Sequence, residues 1–170
     1  SKNDELKRRL ADGFKSNLIR FYYGNDLIGT EIGAAAKNVL GIAAGVLDGS
    51  GYVSLKGPLM ARGANEVGRL IEALGGKFTS AYGLAHLGDY ETTLFSEYSH
   101  NRKYGEMMAQ GHKFDKLAEG VMTAKAMKKL GDRLGVDLPI TDAVYKGCFL
   151  ANPFEGGDGA KACMDIILKL

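Results

Sequence analysis

The chain has 170 residues, 45% hydrophobic and 25% charged, a composition typical of one main soluble domain with a sizeable core. Its net charge of +2 and the lack of a basic run interleaved with aromatics argue against a nucleic-acid partner. No apolar segment approaches the ~20 residues of a membrane span, and the charged start of the sequence is unlike a signal peptide, so we expect a cytoplasmic protein without a membrane partner.

The cysteines and histidines do not follow a metal-binding pattern. Cys148 and Cys163 lie in apolar helical patterns without CxxC spacing, which predicts reduced packing residues. The three histidines have no ligand-like spacing with one another or with the cysteines. We therefore expect no metal site.

The first 25 residues contain a short charged helix and one strand. The helix is predicted at residues 4–12, and residues 17–23 (NLIRFYY) are a β-rich run closed by Gly24 and Asn25. A single strand is physically awkward because its backbone N–H and C=O groups need a neighbouring strand. We interpret it as the edge of a sheet whose other strands are missing from this sequence.

Everything after residue 25 is predicted to be helical. Apolar positions recur at three-to-four-residue spacing, and glycine or proline marks the ends of the segments. The predicted segments are residues 26–48, 57–75, a broken segment at 79–95, then 101–110, 114–134, 139–150 and 160–170, with a turn-rich loop at 152–159. This pattern predicts an all-α fold.

Lys37 is out of character with the glycine-rich helix that contains it. It lies off the apolar face, and Gly33 and Gly41 flank it at four-residue spacing. Each glycine inside a helix costs roughly 1 kcal/mol relative to alanine, which indicates close approach of another backbone or of a ligand. A partly desolvated lysine in such a groove suits a proton donor or an anion clamp. The alternative is a lysine that extends to solvent over a helix contact.

Three further stretches contain residues that could take part in chemistry. Glycines in residues 83–89 break the helical pattern before Asp89, whose simplest interpretation is the N-cap of the next helix. Residues 99–103 (SHNRK) lead into a helix and form either an anion site or a capped, solvated helix start. Residues 49–54 contain a partial glycine motif that follows a helix rather than a strand, so we predict a loop and not a dinucleotide fingerprint.

Six segments taken together carry a family resemblance. In chain order they are ND-IG-EIGAAAKNV-IAAG-DG-GY, ARGANEVGRLIEALGG, GLAHLGDYETT, SHNRKYG, LAEGVMTA and LPITDAVY. They resemble the C-terminal half of NAD(P)-dependent glycerol-3-phosphate dehydrogenase, over roughly residues 17–150, and several motifs in a fixed order are more specific than any one of them. The resemblance implies an all-helical substrate domain of the phosphogluconate-dehydrogenase-like type at residues 26–170. Residues 1–25 would then be the last helix and strand of an otherwise absent Rossmann domain.

The resemblance also implies an activity. The reaction would be the reversible NAD(P)H-dependent reduction of dihydroxyacetone phosphate to sn-glycerol 3-phosphate, a phospholipid precursor, with NAD or NADP bound mainly by the absent domain. It further implies a homodimer. Because nothing in the 170 residues supplies a nicotinamide site, we expect this chain alone to be inactive.

Each candidate site residue takes its role from that resemblance. Lys37 matches the lysine of the family's GGALKN motif, which acts as general acid or base on the substrate oxygen. Asp89 matches the aspartate of the GLGDL motif, which would hold substrate hydroxyls or orient the lysine. The other substrate-binding matches are Asn38, Thr93, Ser99, His100 and Asn101, and the cofactor-binding matches are His100 and Glu119.

Departures from the family pattern leave alternatives open. His100 replaces the central arginine of the Ser-Arg-Asn motif, so a bidentate phosphate clamp becomes a shorter group, for which Arg102 and Lys103 are the candidates to compensate. His86 stands where the family usually has glycine, and we expect it to narrow the pocket. The alternatives are a related dehydrogenase with a changed phosphorylated or acidic substrate, and a non-catalytic helical module for dimerisation or ligand binding.

Overall fold

The computed structural model describes residues 3–170, apart from the side chain of Glu91, and confirms the all-α prediction. Residues 1 and 2 of the predicted segment 1–25 lie outside the described residues. The α-helices are α1 (Asp4–Phe14), α2 (Leu27–Gly49), α3 (Lys56–Ala73), α4 (Asp89–Phe95), α5 (His100–Ala109), α6 (Glu119–Leu134), α7 (Pro139–Tyr145) and α8 (Asp158–Ile167). Short 3₁₀ helices at Val53–Leu55 and Phe78–Tyr82 and π turns at Leu84–Gly88 and Lys146–Leu150 complete the fold.

The strand predicted at residues 17–23 is wrong. This segment is irregular and exposed, and no strand is present within residues 3–170. A strand needs a neighbouring strand to pair with its backbone N–H and C=O groups, and the described part of the chain offers none. The β propensity of the side chains is therefore not sufficient to form a strand here.

Several helix boundaries follow the start and stop signals of the sequence. Asp26 caps α2, since its side chain accepts a hydrogen bond from the Gly29 N–H at 2.9 Å. Helix α3 ends just before Gly75, whose φ of +86° is the left-handed conformation favoured by glycine. The break predicted between residues 79 and 95 is confirmed as a 3₁₀ helix, a π turn and the short α4.

Helix α6 begins later than predicted, at Glu119 rather than at Phe114. Phe114 lies in the preceding loop, where its ring packs edge-on against Tyr104 with 5.8 Å between centroids. The N–H of Gly120, in the first turn of α6, donates to the Asn101 side chain at 2.8 Å. Because Asn101 of α5 accepts this hydrogen bond, the Gly120 N–H does not require a carbonyl partner from an additional helical turn before Glu119.

Helix α2 is the centre of the fold. Helices α3 to α8 all contact it, and its residues 39–47 are completely buried. Lys37 and Asn38, just before that stretch, are only half-buried, so they lie where α2 enters the core. No helix of the described chain, α2 included, is long and apolar enough to cross a membrane.

Glycines bring the backbones of α2 and α5 into direct contact. A Cβ added at Gly45 would lie 1.8 Å from the Arg102 carbonyl oxygen, and one at Gly105 would lie 2.0 Å from the Ile42 carbonyl oxygen. We call Gly41, Gly45 and Gly49 of α2 with Gly105 of α5 the glycine seam. The sequence indicated close approach of a backbone or a ligand, and at the seam it is a backbone.

Substitution in the seam should separate the two helices. For Gly45→Ala we expect a loss of about 3 kcal/mol of unfolding free energy, because the new methyl group collides with main-chain atoms that cannot rotate away. Gly57→Ala in α3 is the matched control, since a Cβ there meets nothing within 4 Å. We expect it to change the unfolding free energy by less than about 0.5 kcal/mol, since it is a surface position in the first turn, just before Pro58. Urea unfolding measures both, and equal effects would contradict the backbone contact.

Candidate functional site

Lys37 and Asp89 form an ion pair between α2 and α4. The Lys37 Nζ donates to the Asp89 Oδ2, and the two side chains keep 21% and 47% of their surface exposed. The lysine is therefore partly buried and charge-paired. It does not extend freely into solvent, as one interpretation of the sequence had it.

Asp89 reaches the lysine from the first residue of α4, directly after a π turn. The expected N-cap role is wrong, because the cap position is Gly88 and the Asp89 side chain makes no capping bond. The Asp89 main-chain carbonyl accepts hydrogen bonds from the Thr92 and Thr93 hydroxyls, each at 2.8 Å. The carboxylate is thus left to the ion pair.

A cleft of about 320 Å³ is lined by residues that adjoin this pair: Asn38 follows Lys37, and the Thr93 hydroxyl donates to the Asp89 carbonyl. Hydroxyl, amide and imidazole side chains from α2, α4, α5 and the α4–α5 loop line it: Asn38, Thr92, Thr93, Ser96, Tyr98, Ser99, His100 and Asn101. All of the predicted substrate-binding residues other than the ion pair itself are in this set. No lysine or arginine is among these lining residues, so the walls of the cleft offer hydrogen bonds rather than fixed positive charge.

The beginning of α5 forms one end of the cleft. Ser99 caps the helix, its Oγ accepting from the Arg102 N–H at 3.3 Å. His100 follows as the first helical residue, is exposed, and packs edge-on against Phe114 with 6.1 Å between ring centroids. The imidazole is therefore accessible from the cleft.

Arg102 does not take the place of the missing arginine. Its guanidinium binds Asp48 at 2.7 Å, Glu106 at 3.4 Å and the Ser96 carbonyl at 2.9 Å, and its side chain is only 13% exposed. Lys103 pairs with Glu106 at 3.1 Å and does not line the cleft. Arg102 and Lys103 are therefore held away from the cleft by their ion pairs. The expectation that either residue replaces the missing arginine is not supported.

Asn101 links three helices. Its Oδ1 accepts from the Gly120 N–H at 2.8 Å, and its Nδ2 donates to the Asn38 Oδ1 at 3.0 Å. The starts of α5 and α6 are therefore adjacent, which brings the exposed Glu119 to the same end of the domain as His100. Sequence reasoning missed this linkage, because its members come from three separate segments and no local pattern joins them.

His86 does not line the cleft and does not narrow it. Its ring is fully buried and stacks on Tyr90 with 5.4 Å between centroids. Its Nδ1–H donates to the Gly33 carbonyl at 2.9 Å, which ties the π turn to α2 one turn before Lys37. Burial lowers the pKa of His86. The residue therefore supports the site from the core, and the pocket-narrowing expectation is wrong.

A second cavity, of about 440 Å³, lies between α3 and α7 and contains none of the predicted site residues. Its one buried acid, Glu66, accepts from the Ile140 and Thr141 N–H groups at 2.7 and 2.9 Å. Burial raises the pKa of this carboxyl group. Glu66 thus binds backbone N–H groups in the first turn of α7, and we do not assign this cavity as the candidate site.

The cysteines are packing residues in the structure. Cys163 is buried and Cys148 is half-buried, and both are free thiols. Burial raises the pKa of Cys148 to about 11 and raises that of Cys163 further. Within residues 3–170 no group of three or more His, Cys, Asp or Glu side chains is placed to hold a metal ion.

A half-buried lysine–carboxylate pair beside a small polar cleft, in an all-helical domain, defines a candidate catalytic domain for a small polar substrate. The family model described as NAD-dependent glycerol-3-phosphate dehydrogenase C-terminus matches residues 26–155. The chain belongs to this family. The resemblance seen in the sequence motifs is therefore confirmed.

Individual relatives agree with the family match. The chain is 38% identical to a glycerol-3-phosphate dehydrogenase, NAD(P)+, of Prosthecochloris aestuarii, over 91% of this chain and 49% of that protein. It is 42% identical to the protein of the same name in Clostridium botulinum strain Alaska E43, over 88% of this chain and 48% of the relative. A crystal structure of glycerol-3-phosphate dehydrogenase from Coxiella burnetii superposes with a TM-score of 0.84 at 27% identity, covering 97% of this chain and 52% of that one. The chain spans about half the length of the relatives it matches.

The burial of His86 predicts a pH-dependent stability. Its pKa is lowered in the folded state, so below the ordinary value of 6.5 the unfolded chain binds a proton that the folded chain resists. Stability contributed by neutral His86 is present above pH 6.5 and is lost as the pH falls through the lowered pKa. In His86→Asn this part of the acid-side loss should disappear, while an amide N–H can still reach the Gly33 carbonyl.

Thermal unfolding between pH 8 and pH 5 tests this expectation. His112→Asn is the control, because His112 is exposed and should keep the wild-type slope. We expect His86→Asn to lower the overall stability by about 1–3 kcal/mol through lost ring packing. A wild-type pH slope in His86→Asn would contradict the assignment.

Proposed function

We propose that residues 26–170 are the substrate-binding and catalytic half of an NAD(P)-dependent glycerol-3-phosphate dehydrogenase, which interconverts dihydroxyacetone phosphate and sn-glycerol 3-phosphate. The observation that carries the proposal is the ion pair of Lys37 with Asp89, whose neighbours Asn38 and Thr93 line the polar cleft. The family membership and the similarly named relatives support it.

Lys37 supplies the proton chemistry in this proposal. During reduction, negative charge grows on the substrate carbonyl oxygen, where a nearby ammonium group stabilises it and then donates its proton. In the reverse direction the neutral amine accepts the proton of the alcohol. The Asp89 carboxylate holds Nζ in place at the cleft and stabilises the protonated lysine.

The start of α5 is the proposed phosphate site. The first N–H groups of a helix lack carbonyl partners within the helix, and the partial positive charge of a helix N-terminus favours an anion. Ser99 and His100 stand at this end of α5 and line the cleft. Phosphate binding here rests on hydrogen bonds and one imidazole, since Arg102 is held in its own ion pairs.

The remaining residues fit an enzyme whose cofactor is carried mainly by another domain, which would bring the nicotinamide hydride to the substrate. Glu119 and His100 are exposed at one end of the bundle and are available to touch such a cofactor. Helix α1 buries none of its residues. Apolar side chains left exposed in and after α1 are Leu6, Leu10, Phe14, Leu18, Ile19, Phe21, Tyr22 and Tyr23. Such a surface is expected where a further domain packs, which supports residues 1–25 as part of a Rossmann domain.

The family also supports a wider assignment. We propose that the complete protein is a cytoplasmic homodimer that supplies glycerol 3-phosphate for phospholipid precursors. The changed-substrate alternative keeps one specific observation in its favour, namely the absence of lysine and arginine from the side chains that line the cleft.

Replacing the lysine tests the catalytic assignment in the complete protein. Lys37→Ala should lower kcat for dihydroxyacetone phosphate by about 10²–10⁴-fold, because the proton donor is lost. Lys37→Arg keeps the charge but does not release its proton, so we expect substrate binding with a low kcat. Lys129→Ala, at an exposed position in α6, is the control. NAD(P)H oxidation measures all three, and residues 1–170 alone should show none. Wild-type activity in Lys37→Ala would contradict the role.

Restoring the family arginine tests the phosphate site. His100→Arg should lower KM for dihydroxyacetone phosphate by about tenfold with little change in kcat, since a charge-assisted bidentate contact replaces a single imidazole. With dihydroxyacetone, which lacks the phosphate, KM should stay unchanged. If neither wild type nor His100→Arg turns over the phosphate ester, the substrate is a different one.

A further inference from the structure

The side chains of Asn101 and Asn38 form a chain of hydrogen bonds whose direction is set by a backbone group. The Gly120 N–H can only donate, so the atom of Asn101 that lies 2.8 Å from it must be the oxygen. The other end of that amide is then NH₂, and it donates to Asn38 at 3.0 Å. The accepting atom of Asn38 must be its oxygen. The Asn38 NH₂ group is consequently the end of the chain that is not used in these hydrogen bonds.

Packing holds this chain of bonds in place. Asn101 is 8% exposed, and a Cβ added at Gly41 would lie 3.2 Å from the Asn101 Cβ. A Cβ added at Gly120 would lie 2.4 Å from the Asn38 carbonyl oxygen, so the start of α6 sits directly against the backbone of α2. The donor at Gly120 therefore cannot move away from the two amides without disturbing this helix contact.

The free end of the chain belongs to the cleft. Asn38 lines it, and among residues 3–170 its side chain has no other hydrogen-bond partner. It also follows Lys37 directly in α2. The Asn38 NH₂ group therefore presents a hydrogen-bond donor to the cleft, which suits a ligand oxygen with lone pairs and negative charge.

We propose that Asn101 is a positioning residue that fixes Asn38 with its NH₂ toward the cleft, and that this orientation selects substrates carrying an anionic oxygen there. This inference rests on the proposed function and deepens it. The family resemblance implies that Asn101 contacts the substrate phosphate directly. The hydrogen bonds give it an indirect role, because both ends of its amide are engaged by protein groups.

A double-mutant cycle tests whether Asn101 acts through Asn38. The four forms of the complete protein are wild type, Asn101→Ala, Asn38→Ala and the double variant, and calorimetry gives the dissociation constant of glycerol 3-phosphate for each. Asn101→Ala should weaken binding about tenfold in the wild-type background, as expected for losing one hydrogen bond to a charged group. In the Asn38→Ala background it should weaken binding less than about twofold, because the side chain it positions is already gone.

Asn101→Asp separates orientation from mere support of α6. Its carboxylate can still accept from the Gly120 N–H, but it cannot donate to Asn38, which then turns its oxygen toward the cleft. We expect a wild-type unfolding midpoint together with binding as weak as that of Asn101→Ala. The comparison is made in about 1 M salt, where the Debye length falls to about 3 Å and the added charge is largely screened. Near-wild-type binding in Asn101→Asp would overturn the proposal.

The outcomes distinguish this proposal from the function on which it rests. If wild type binds glycerol 3-phosphate and Asn101→Ala weakens binding equally in both backgrounds, Asn101 contacts the ligand directly, and the positioning role is overturned while the function stands. If wild type binds neither glycerol 3-phosphate nor dihydroxyacetone phosphate, the function and the selectivity both fail. Loss of the Asn101 effect in the Asn38→Ala background supports both.

Discussion

The backbone contact between α2 and α5 is the constraint on which the rest of the structure depends. At Gly45 and Gly105 each helix lies against the main chain of the other, with no side chain between them. The contact fixes the beginning of α5 relative to the stretch of α2 that contains Lys37 and Asn38. The side chains that α2 and α5 contribute to the cleft consequently come from two helices whose spacing is set by glycine, at a distance no larger residue would permit.

Charges are divided between the core and the cleft. Asp48 binds Arg102 and Lys56 where all three side chains are nearly buried, so these cations are committed to holding α2, α3 and α5 together. Removing one partner of such a cluster leaves an uncompensated buried charge, which is costly. The pair of Lys37 with Asp89 is more exposed, with 21% and 47% of the two side chains accessible to solvent. The difference in burial thus separates the structural cations Arg102 and Lys56 from Lys37, for which we propose a catalytic role.

The sequence was informative where a feature depends on nearby residues. The cap at Asp26 and the glycine end of α3 follow from residues a few positions apart. Ordered motifs were sufficient to identify the family and five of the eight residues that line the cleft, but not Thr92, Ser96 or Tyr98. The prediction of a strand at residues 17–23 was wrong because a strand requires a neighbouring strand, and the β propensity of a segment does not show whether one is present. The roles of Arg102 and Asn101 were also beyond local patterns, since their partners Asp48 and Asn38 lie 54 and 63 residues away along the chain.

The glycine seam also has a mechanical consequence. Two helices in backbone contact cannot slide or rotate past each other without a collision, so the α2 and α5 walls of the cleft behave as one rigid body. The opposite wall consists of α4, only 7 residues long, and the loop that follows it, where Tyr98 is 90% exposed. A change in the width of the cleft would therefore require movement of that wall relative to α2 and α5, and not of α2 relative to α5.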